Sequence, residues 1–328
     1  MNSYRQKLFF LYAILACVFL ISLLIGRYPE PGFLSINSLF NDKLAVKLLI
    51  NLRLPRVISA MLLGISLSLA GLVMQTAFQN PLVDPGFLGV SQGAAFGAAL
   101  AIIFLNSFHF AIQIFAIIFG IAGLVLSYWI SSKVRFGGQV LRLILSGLAV
   151  SALFSAGVGI LKYMADPIQQ LPDIVFWLLG GLWAVKWTDL VYIMPLILIG
   201  ISLIFIFRWR LNILTLNKEV AFSLGINNEN ETKIAILISV VMTALMISIA
   251  GIVSWIGLVV PNLSRIIAGA DTSKSVPLAV AIGGIFALIC DDFARTLLAG
   301  EIPLSIFTAL FGSVIFVILI SYKKSNLV

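Results

Sequence analysis

The chain alternates long apolar runs with short polar connections over nearly its whole length. A helix needs about 20 mostly apolar residues to cross a bilayer, and hydrocarbon accepts only backbone whose hydrogen bonds are satisfied internally. The pattern therefore predicts an all-α membrane protein with one transmembrane domain over residues 1–328. Two apolar runs, 174–185 and 257–269, are short. The runs that reach or approach spanning length are 8–26, 55–78, 86–105, 108–130, 141–161, 190–207, 234–253, 277–298 and 303–321.

Composition agrees with this class. Of the 328 residues, 61% are apolar and 10% are charged, whereas soluble domains carry about 25% charged residues. The formal net charge of +8 is interpreted as Lys and Arg retained at the cytoplasmic face and against anionic lipid. No basic stretch is interleaved with aromatic residues as in single-strand binders. Membrane lipid is therefore an expected partner, and nucleic acid is not.

Basic residues at both ends orient the chain. Arg5 and Lys7 precede the first apolar run, which is too long for a signal-peptide core and is interpreted as a retained span. Lys323 and Lys324 follow the last run. Cytoplasmic flanks carry an excess of Lys and Arg, so both termini are expected on the cytoplasmic side of the cell membrane. The number of spans is then even, and nine long runs plus one short run give ten.

Charge also decides which short run crosses. If 174–185 crossed, the segment 208–233 with its four cations would lie outside. Run 257–269 is therefore the crossing one, and 208–233 is a cytoplasmic loop. Run 174–185 is expected to be an external or re-entrant helix, where Trp177 and Trp183 suit a membrane–water boundary.

One external segment, residues 27–56, breaks the charge bias. Because the bias is statistical, its cations are either tolerated or form a basic patch that meets an acidic partner. Charge alone leaves both interpretations open. The cations are Arg27, Lys43, Lys47, Arg53 and Arg56.

Two stretches of the chain repeat one pattern. Ser68–Val73 is echoed by Ser248–Val253, and a proline follows the glycine of each copy by ten residues, as Pro81 and Pro261. The copies belong to spans two and seven, which would run in opposite directions. An inverted repeat with proline-interrupted helices is typical of transporters.

Span five carries a face of small residues. Gly147, Ser151, Ser155 and Gly159 recur every four residues and share one side of a helix. Small-residue faces bring helices close together in membranes. The same face would also form a smooth, weakly polar wall for a bulky solute, and the two interpretations are compatible.

The sequence lacks a phosphate-binding loop. No G-x-x-x-x-G-K-[ST] stretch is present to cradle a nucleotide phosphate. Few ionisable residues fall deep in the spans, which argues against a proton relay or a voltage sensor. Cys17 and Cys290 lie in apolar runs and His109 is the single histidine, so no metal site is predicted. A pump that has no phosphate-binding loop of its own needs a separate source of energy.

Asp291 and Asp292 form the strongest acidic cluster. Paired carboxylates in a membrane helix could hold Mg²⁺ and a diphosphate, as in intramembrane prenyl transferases, but such a site would need a second carboxylate cluster. No other span carries an Asp/Glu pair. Asp291 and Arg295 are spaced i,i+4, so a helix ion pair accounts for them. No catalytic residue is predicted.

Four motifs make the chain resemble a known family, the iron-chelate and vitamin B12 (FecCD-type) permease subunits of binding-protein-dependent ABC importers. The resemblance covers nearly the whole chain, although many members have His where Asn262 stands. The motifs are Leu52–Arg56 before span two, Asn80–Val90 between spans two and three, Gly257–Arg265 entering span eight, and Glu301–Leu304 before the last span.

The resemblance implies an architecture and a set of partners. Members have the type II ABC importer permease fold with ten spans, and they form a homodimer whose axis holds the pathway. Two ATP-binding subunits dock on the cytoplasmic face, and an extracytoplasmic substrate-binding protein delivers the chelate. ATP and Mg²⁺ belong to the ATPase subunits. This chain is therefore expected to bind no cofactor and to be no enzyme itself.

The resemblance also assigns roles to residues at the two faces. The outer arginines Arg53, Arg56 and Arg295 are expected to bind glutamates of the binding protein, because Arg fits carboxylates bidentately. Arg295 could instead form an ion pair with Asp291. The cytoplasmic loop matches the family pattern for docking the ATPase. Its candidate coupling residues are Lys218, Glu219, Ala221, Leu224 and Gly225.

The mechanism that the resemblance implies is alternating access. The inner gate is expected at Asn80, Pro81 and Leu82 together with Gly138–Leu141. The cargo is expected to pass between two copies of the span-five face, along Gly147, Ser151 and Ser155. A ferric siderophore is the expected cargo, with haem, cobalamin and molybdate or tungstate as further candidates. An ion-coupled secondary transporter and a non-transporting membrane scaffold are the alternatives.

Overall fold

The computed structural model describes residues 2–28, 32–34, 41–105, 108–213, 228–298 and 300–325. A π-helical turn, Leu49–Arg53, joins α2 to α3, and a 3₁₀ turn, Pro85–Leu88, precedes α4. Two short antiparallel strands, β1 (Ile25–Gly26) and β2 (Gly32–Phe33), follow α1. The α-helices are α1 Asn2–Leu24, α2 Lys43–Leu48, α3 Leu54–Ala77, α4 Val90–Phe104, α5 His109–Lys133, α6 Gln139–Met164, α7 Gln170–Leu179, α8 Trp187–Leu211, α9 Asn228–Ala250, α10 Ile256–Ala268, α11 Thr272–Thr296 and α12 Leu304–Ser325.

Contacts between helix ends sort those ends into two groups. At one end of the bundle, Ser22 of α1 donates a hydrogen bond to Asp292 of α11 at 2.6 Å. At the opposite end, the hydroxyl of Tyr4 in α1 donates to the carbonyl of Lys274 in α11 at 2.9 Å. The two helices therefore run parallel across the whole bundle. We call the end near Ser22 the outer end and the end near Tyr4 the inner end, after the predicted orientation.

Ten helices cross between these two ends. Eight stretches of the described residues are helices long and apolar enough to span a membrane: α1, the continuous α2–α3 unit, α5, α6, α8, α9, α11 and α12. Helices α4 and α10, with 15 and 13 residues, complete the set. Helix α7 has 10 residues, which is about 15 Å and too short to cross. It begins and ends at the outer end, because α6 ends and α8 begins there.

Helix α3 lies at the centre of the bundle, and glycines let its neighbours approach closely. A Cβ atom on Gly71 would lie 1.9 Å from the carbonyl oxygen of Gly257 in α10, and one on Gly64 would lie 2.0 Å from that of Gly283 in α11. Between them, Ser68 donates to the carbonyl of Ala279 at 2.9 Å. Helix association in lipid depends on such close packing, since the hydrophobic effect supplies no drive there.

The two copies of the sequence repeat have different local backbones. The first copy continues as helix to Ala77. In the second, Gly251 has φ +65° and ends α9, while Pro261 lies inside α10. Helix α7 accounts for the break, because a Cβ atom on Gly251 would lie 2.2 Å from the carbonyl oxygen of Trp177. The outer helix and the second copy thus share one closely packed joint.

The second crossing unit begins earlier than the hydrophobic pattern predicted. Helix runs without interruption from Lys43 to Ala77, a stretch of 35 residues, whereas the predicted span starts at residue 55. Asp42 caps this helix by accepting the N–H of Leu44 at 2.8 Å. The lysines of α2 made this segment look like a polar loop, because hydropathy does not separate a helix that leaves the membrane from a connection.

Candidate functional site: the inner gate and the outer ion cluster

At the inner end, the side chain of Gln75 joins α3 to α10. Its amide nitrogen donates to the carbonyls of Val83, Gly257 and Leu258 at 3.4, 3.1 and 3.2 Å. Its oxygen accepts from Arg265 at 2.5 Å. One buried amide therefore holds the loop after α3 and the first turn of α10 together, as expected where buried polar groups are normally hydrogen-bonded.

Asn262 and Arg265 complete this contact from the side of α10. The amide of Asn262 donates to the carbonyl of Pro81 at 3.1 Å. Arg265 donates further to the carbonyl of Leu72 at 3.4 Å. We call Gln75, Asn262 and Arg265 the inner latch. Two of the motifs that carry the family resemblance, Asn80–Val90 and Gly257–Arg265, thus form one hydrogen-bonded unit.

The tip of the predicted gate loop protrudes from this latch. The side chain of Asn80 accepts the N–H of Leu82 at 3.0 Å, which closes a local Asx-type turn. Leu82 is 58% exposed in the single chain. Leu141, at the start of α6, is also exposed, and within the described residues no hydrogen bond joins it to the loop. The assignment of Asn80, Pro81, Leu82 and Gly138–Leu141 as the gate stays a prediction.

The small-residue face of α6 is closed at its inner end and open towards its outer end. A Cβ atom on Gly147 would lie 3.0 Å from the carbonyl oxygen of Phe87, so the 3₁₀ turn packs directly on the helix. Ser151 is half-buried, whereas Ser155 and Gly159 are exposed. The inner closure therefore lies next to the predicted gate loop, and the open part is available to a second molecule.

A half-open cavity lies where α7 meets the joint between α9 and α10. Its volume is about 240 Å³, and Trp177, Trp183, His109 and Gly251 are among its lining residues. His109 and Gln113 both contact Asp189 near the cavity, at 3.2 and 2.9 Å. Pockets for drug-sized ligands measure about 300–1,000 Å³. This cavity is therefore too small to be the passage for a metal chelate.

At the outer end, Arg56 is buried between two carboxylates. Its guanidinium donates to Asp291 at 2.9 Å and to Glu301 at 2.7 Å. The side chain of Asp291 is 1% exposed and that of Glu301 is 36% exposed. Sequence reasoning missed this cluster, because Arg56 is separated from its partners by 235 and 245 residues and no local spacing signals such a contact.

Arg295 is paired inside the same outer ion cluster. It contacts Asp292 and the carbonyl of Ser22 closely, and its Nε lies 3.7 Å from Asp291. The predicted i,i+4 pair is thus present, but Asp291 is held more closely by Arg56. Arg53 donates to the carbonyl of Tyr28 at 2.9 Å. The docking role predicted for these arginines stays a prediction, and Arg56 and Arg295 would have to exchange internal carboxylates for those of a partner.

The acidic cluster Asp291–Asp292 is fully engaged by these contacts. Asp291 receives Arg56, while Asp292 receives Arg295 and the hydroxyl of Ser22. Both carboxylates serve to join α1, α3 and α11, which is a structural role. The geometry therefore gives no support to the diphosphate-binding enzyme that the paired aspartates allowed.

The predicted coupling residues Lys218, Glu219, Ala221, Leu224 and Gly225 lie outside the described residues. The segment that leads into their loop is tied to α11. Asn212 donates to Asp271 at 3.0 Å, and its oxygen accepts the N–H of Thr272 at 2.7 Å. Partial burial alone would raise the pKa of Asp271, but hydrogen bonds from Ser273 and Asn212 lower it to about 2. The carboxylate is therefore ionised at any physiological pH.

Comparison with known proteins places this geometry in a family. The chain is 37% identical to the molybdate import system permease protein MolB of Haemophilus influenzae, over 98% of this chain and 97% of that protein. It is 36% identical to the hemin transport system permease protein HmuU of Yersinia pestis, over 84% of each chain. A solved chain of a metal-chelate type ABC transporter in an inward-facing conformation matches with a TM-score of 0.89 and 37% identity, over 97% of this chain and 99% of that one.

These matches confirm the predicted fold class and family. The fold is that of an all-α, ten-helix type II ABC importer permease, a multi-span membrane protein rather than an enzyme. The model of the FecCD transport family matches residues 14–322. The chain belongs to the FecCD transport family and is the permease subunit of an ABC importer for metal chelates.

Proposed function

We propose that this chain is one half of an ATP-driven importer that moves a metal chelate inwards by alternating access. The observation that carries the proposal is the inner latch, which fixes the gate loop at Leu82 beside the closed end of the α6 face. Alternating access requires a passage that is closed at one end while it is open at the other. The family membership of the chain supports the same conclusion.

The working unit of this proposal is a homodimer with the pathway between the subunits. Within one chain the outer half of α6 leaves large apolar side chains exposed, including Leu153, Ile160 and Met164. The cavity inside the chain is too small for a chelate. A second copy that faces the small-residue side of α6, where Ser155 and Gly159 are exposed, would enclose Ser151 and Ser155 in a passage on the two-fold axis.

In the proposal, two kinds of partner act on this dimer: one supplies energy and the other delivers the chelate. Separate ATPase subunits bind ATP and Mg²⁺ and dock at the inner end, on the loop that contains Glu219 and Leu224. An extracytoplasmic binding protein docks at the outer end, in the region of Arg53, Arg56 and Arg295. Both termini face the cytoplasm in a multi-span arrangement in the cytoplasmic membrane, as the Lys and Arg bias indicates.

Within the cargo class, we propose a ferric siderophore first. The names of the relatives specify molybdate for MolB and hemin for HmuU, so haem and molybdate or tungstate are direct competitors, with cobalamin a further one. Along its described length, the small, weakly polar face of α6 carries a single charged side chain, Lys162 at its outer end, which is too little to distinguish these cargoes from one another. Selection is therefore assigned to the binding protein.

Uptake by cells that carry or lack this chain tests the cargo. Each labelled candidate is supplied to a deletion strain with either the native chain or a chain carrying Leu82→Trp, which places a bulky ring at the gate. We expect uptake of one chelate to depend on the native chain and to fall severalfold with the variant. If the deletion leaves the uptake of every candidate unchanged, the proposed cargo class is contradicted.

A further inference from the structure

Helix α2 extends the second crossing unit beyond the membrane. The continuous helix from Lys43 to Ala77 has 35 residues, which corresponds to about 50 Å, against a hydrocarbon core of about 30 Å. Its inner end at Ala77 connects directly to the gate loop. The excess length therefore lies at the outer end, where α2 projects from the bundle.

Three contacts hold this projecting helix in one orientation. The hydroxyl of Tyr28 donates to Asp42, the N-cap of α2, at 3.0 Å. The indole of Trp187 donates to the carbonyl of Ile50 at 2.8 Å, and Arg53 donates to the carbonyl of Tyr28. The hairpin after α1 and the start of α8 thus fix α2 on two sides. A surface held in this way loses little conformational entropy when a partner binds.

Two exposed positive charges at this end lie on α2, whereas two of the three outer arginines are paired with carboxylates. Arg56 and Arg295 are neutralised by Asp291, Asp292 and Glu301. Lys43 and Lys47 are exposed and, within the part of the chain that the structure describes, neither contacts a carboxylate. They are spaced i,i+4, so both project from the same side of the helix.

Exposed apolar side chains continue the surface along the same segment. Leu44, Ile50 and Leu52 are exposed beside the two lysines. An apolar centre with charged groups around it is the usual composition of a protein–protein contact. Hydrogen bonds hold the segment in place, yet its outward side chains have no partner within the described chain.

We propose that α2 and the following π-helical turn, residues 43–53, are a docking platform for an acidic surface of the extracytoplasmic binding protein. The inference rests on the proposed function and adds the residues of first contact. Lys43 and Lys47 steer and register the acidic partner, and Leu44 and Leu52 form the apolar part of the contact. Arg56 keeps its internal carboxylates during this first contact.

A protein partner fits this platform better than anionic lipid. With Ala77 placed at the inner boundary and the helix along the bilayer normal, a helix of about 50 Å carries Lys43 about 20 Å beyond a hydrocarbon core of about 30 Å. Lipid phosphates lie close to the core boundary, within the roughly 40–45 Å that includes both headgroup regions. A soluble protein that approaches from outside meets α2 first.

The rate of association with the binding protein tests the platform. The importer is reconstituted in nanodiscs of neutral phosphatidylcholine, and the binding protein is the one that stimulates its ATP hydrolysis. The test variant is Lys43→Glu with Lys47→Glu. Lys133→Glu, a charge reversal at the exposed inner end of α5, is the control for net charge, and Lys43→Arg with Lys47→Arg keeps the charge.

We expect the double reversal to slow association about ten-fold at low ionic strength, because rim charges act mainly on the association rate. The difference should largely vanish at about 0.5 M salt, where screening is short-ranged. The double reversal should leave basal ATP hydrolysis at the native rate. Association rates of the Lys133→Glu control and of the arginine pair should match those of the native complex.

Two results would overturn the platform. One is an association rate for the double reversal that equals the control while the native complex is stimulated normally. The other is a loss that appears only in nanodiscs containing phosphatidylglycerol, which would assign the lysines to lipid. If no binding protein stimulates the native complex, the proposed function itself fails and the platform fails with it.

Discussion

The guanidinium of Arg56 is satisfied by carboxylates that lie 235 and 245 residues further along the chain. Removing one partner of such a buried pair leaves an uncompensated charge, which costs about 3–5 kcal/mol. Arg56→Ala should therefore lower the free energy of unfolding by that amount, because Asp291 stays buried without its nearest cation and only Arg295 remains, at 3.7 Å. The thermal midpoint of the purified protein in detergent reports the loss.

An exposed arginine supplies the control for this measurement. Arg210 pairs with Glu231 at 2.7 Å, and its side chain is 58% exposed. Exposed pairs contribute about 0–1 kcal/mol, so Arg210→Ala should change the midpoint little. Equal shifts for the two variants would show that the outer ion cluster does not stabilise the bundle.

At the residue scale, Asn262 is the side chain that holds the predicted gate loop. Its amide holds the carbonyl of Pro81, and Asn262→Ala removes that bond while leaving Gln75 in place. We expect a Cys introduced at Leu82, in a Cys17→Ser background, to react severalfold faster with a membrane-impermeant maleimide from the inner side when Asn262 is Ala. Asn262→His, the residue found in many family members, should keep the native rate.

An unchanged labelling rate for Asn262→Ala would mean that Gln75 and Arg265 alone fix the loop. Labelling of Leu82→Cys from the outer side would contradict the predicted orientation instead. The two outcomes are separated by which compartment receives the reagent.

At the scale of elements, α10 connects the two ends of the molecule. The segment that precedes α10 lies close to α7, since the N–H of Gly181, just after α7, donates to the carbonyl of Ala250 at the end of α9 at 2.7 Å. Its C-terminal half carries Asn262 and Arg265 of the inner latch. Trp255, which precedes α10, has φ +73°, an unfavourable backbone conformation for a bulky residue. Helix α10 therefore begins next to a strained residue and ends in the inner latch.

The joint between α8 and α11 is the element that leads into the coupling loop. Asp271→Ala removes both the cap of α11 and the acceptor for Asn212. We expect ATP hydrolysis by the assembled complex to persist while uptake falls severalfold, because the loop is then tied to α11 only through Thr272. Asp271→Asn keeps a good N-cap and should retain most uptake.

The pH dependence of this joint follows from the pKa of Asp271. That pKa is lowered from 3.8 to about 2 in the folded protein. A lowered pKa gives stability that is fully present above the unfolded value and is lost only as pH falls through the folded one. Coupling should be flat between about pH 5 and 8. A loss of coupling between pH 6 and 5 would exclude Asp271 as its determinant.

At the scale of the whole molecule, the fold class was predictable because the bilayer constrains sequence strongly. Hydropathy located the runs, and charge bias with even parity selected 257–269, where the structure has α10. The projecting helix α2 was missed, because Lys43 and Lys47 resemble loop residues in a hydropathy profile.

The site was predictable only where local motifs marked it. The stretches around Asn80 and Asn262 were both identified, but their mutual contact depends on close packing of Gly71 on Gly257, which no spacing reveals. The pairing of Arg56 with Asp291 and Glu301 was missed for the same reason. In the sequence, the charged residues at span ends have no neighbouring residue of opposite charge that would signal an ion pair. In a low-dielectric environment an unpaired charge is costly, so these residues are paired in the fold.

Dependence of inward chelate movement on ATP tests the central claim most directly. The complete importer is reconstituted in proteoliposomes with ATP enclosed on the side of the ATPase subunits, and loaded binding protein is added on the other side. We predict uptake that requires ATP, stops when the ATPase is inactive, and is unaffected by an uncoupler. Uptake that continues without ATP and collapses with the uncoupler would contradict the claim and identify an ion-coupled transporter.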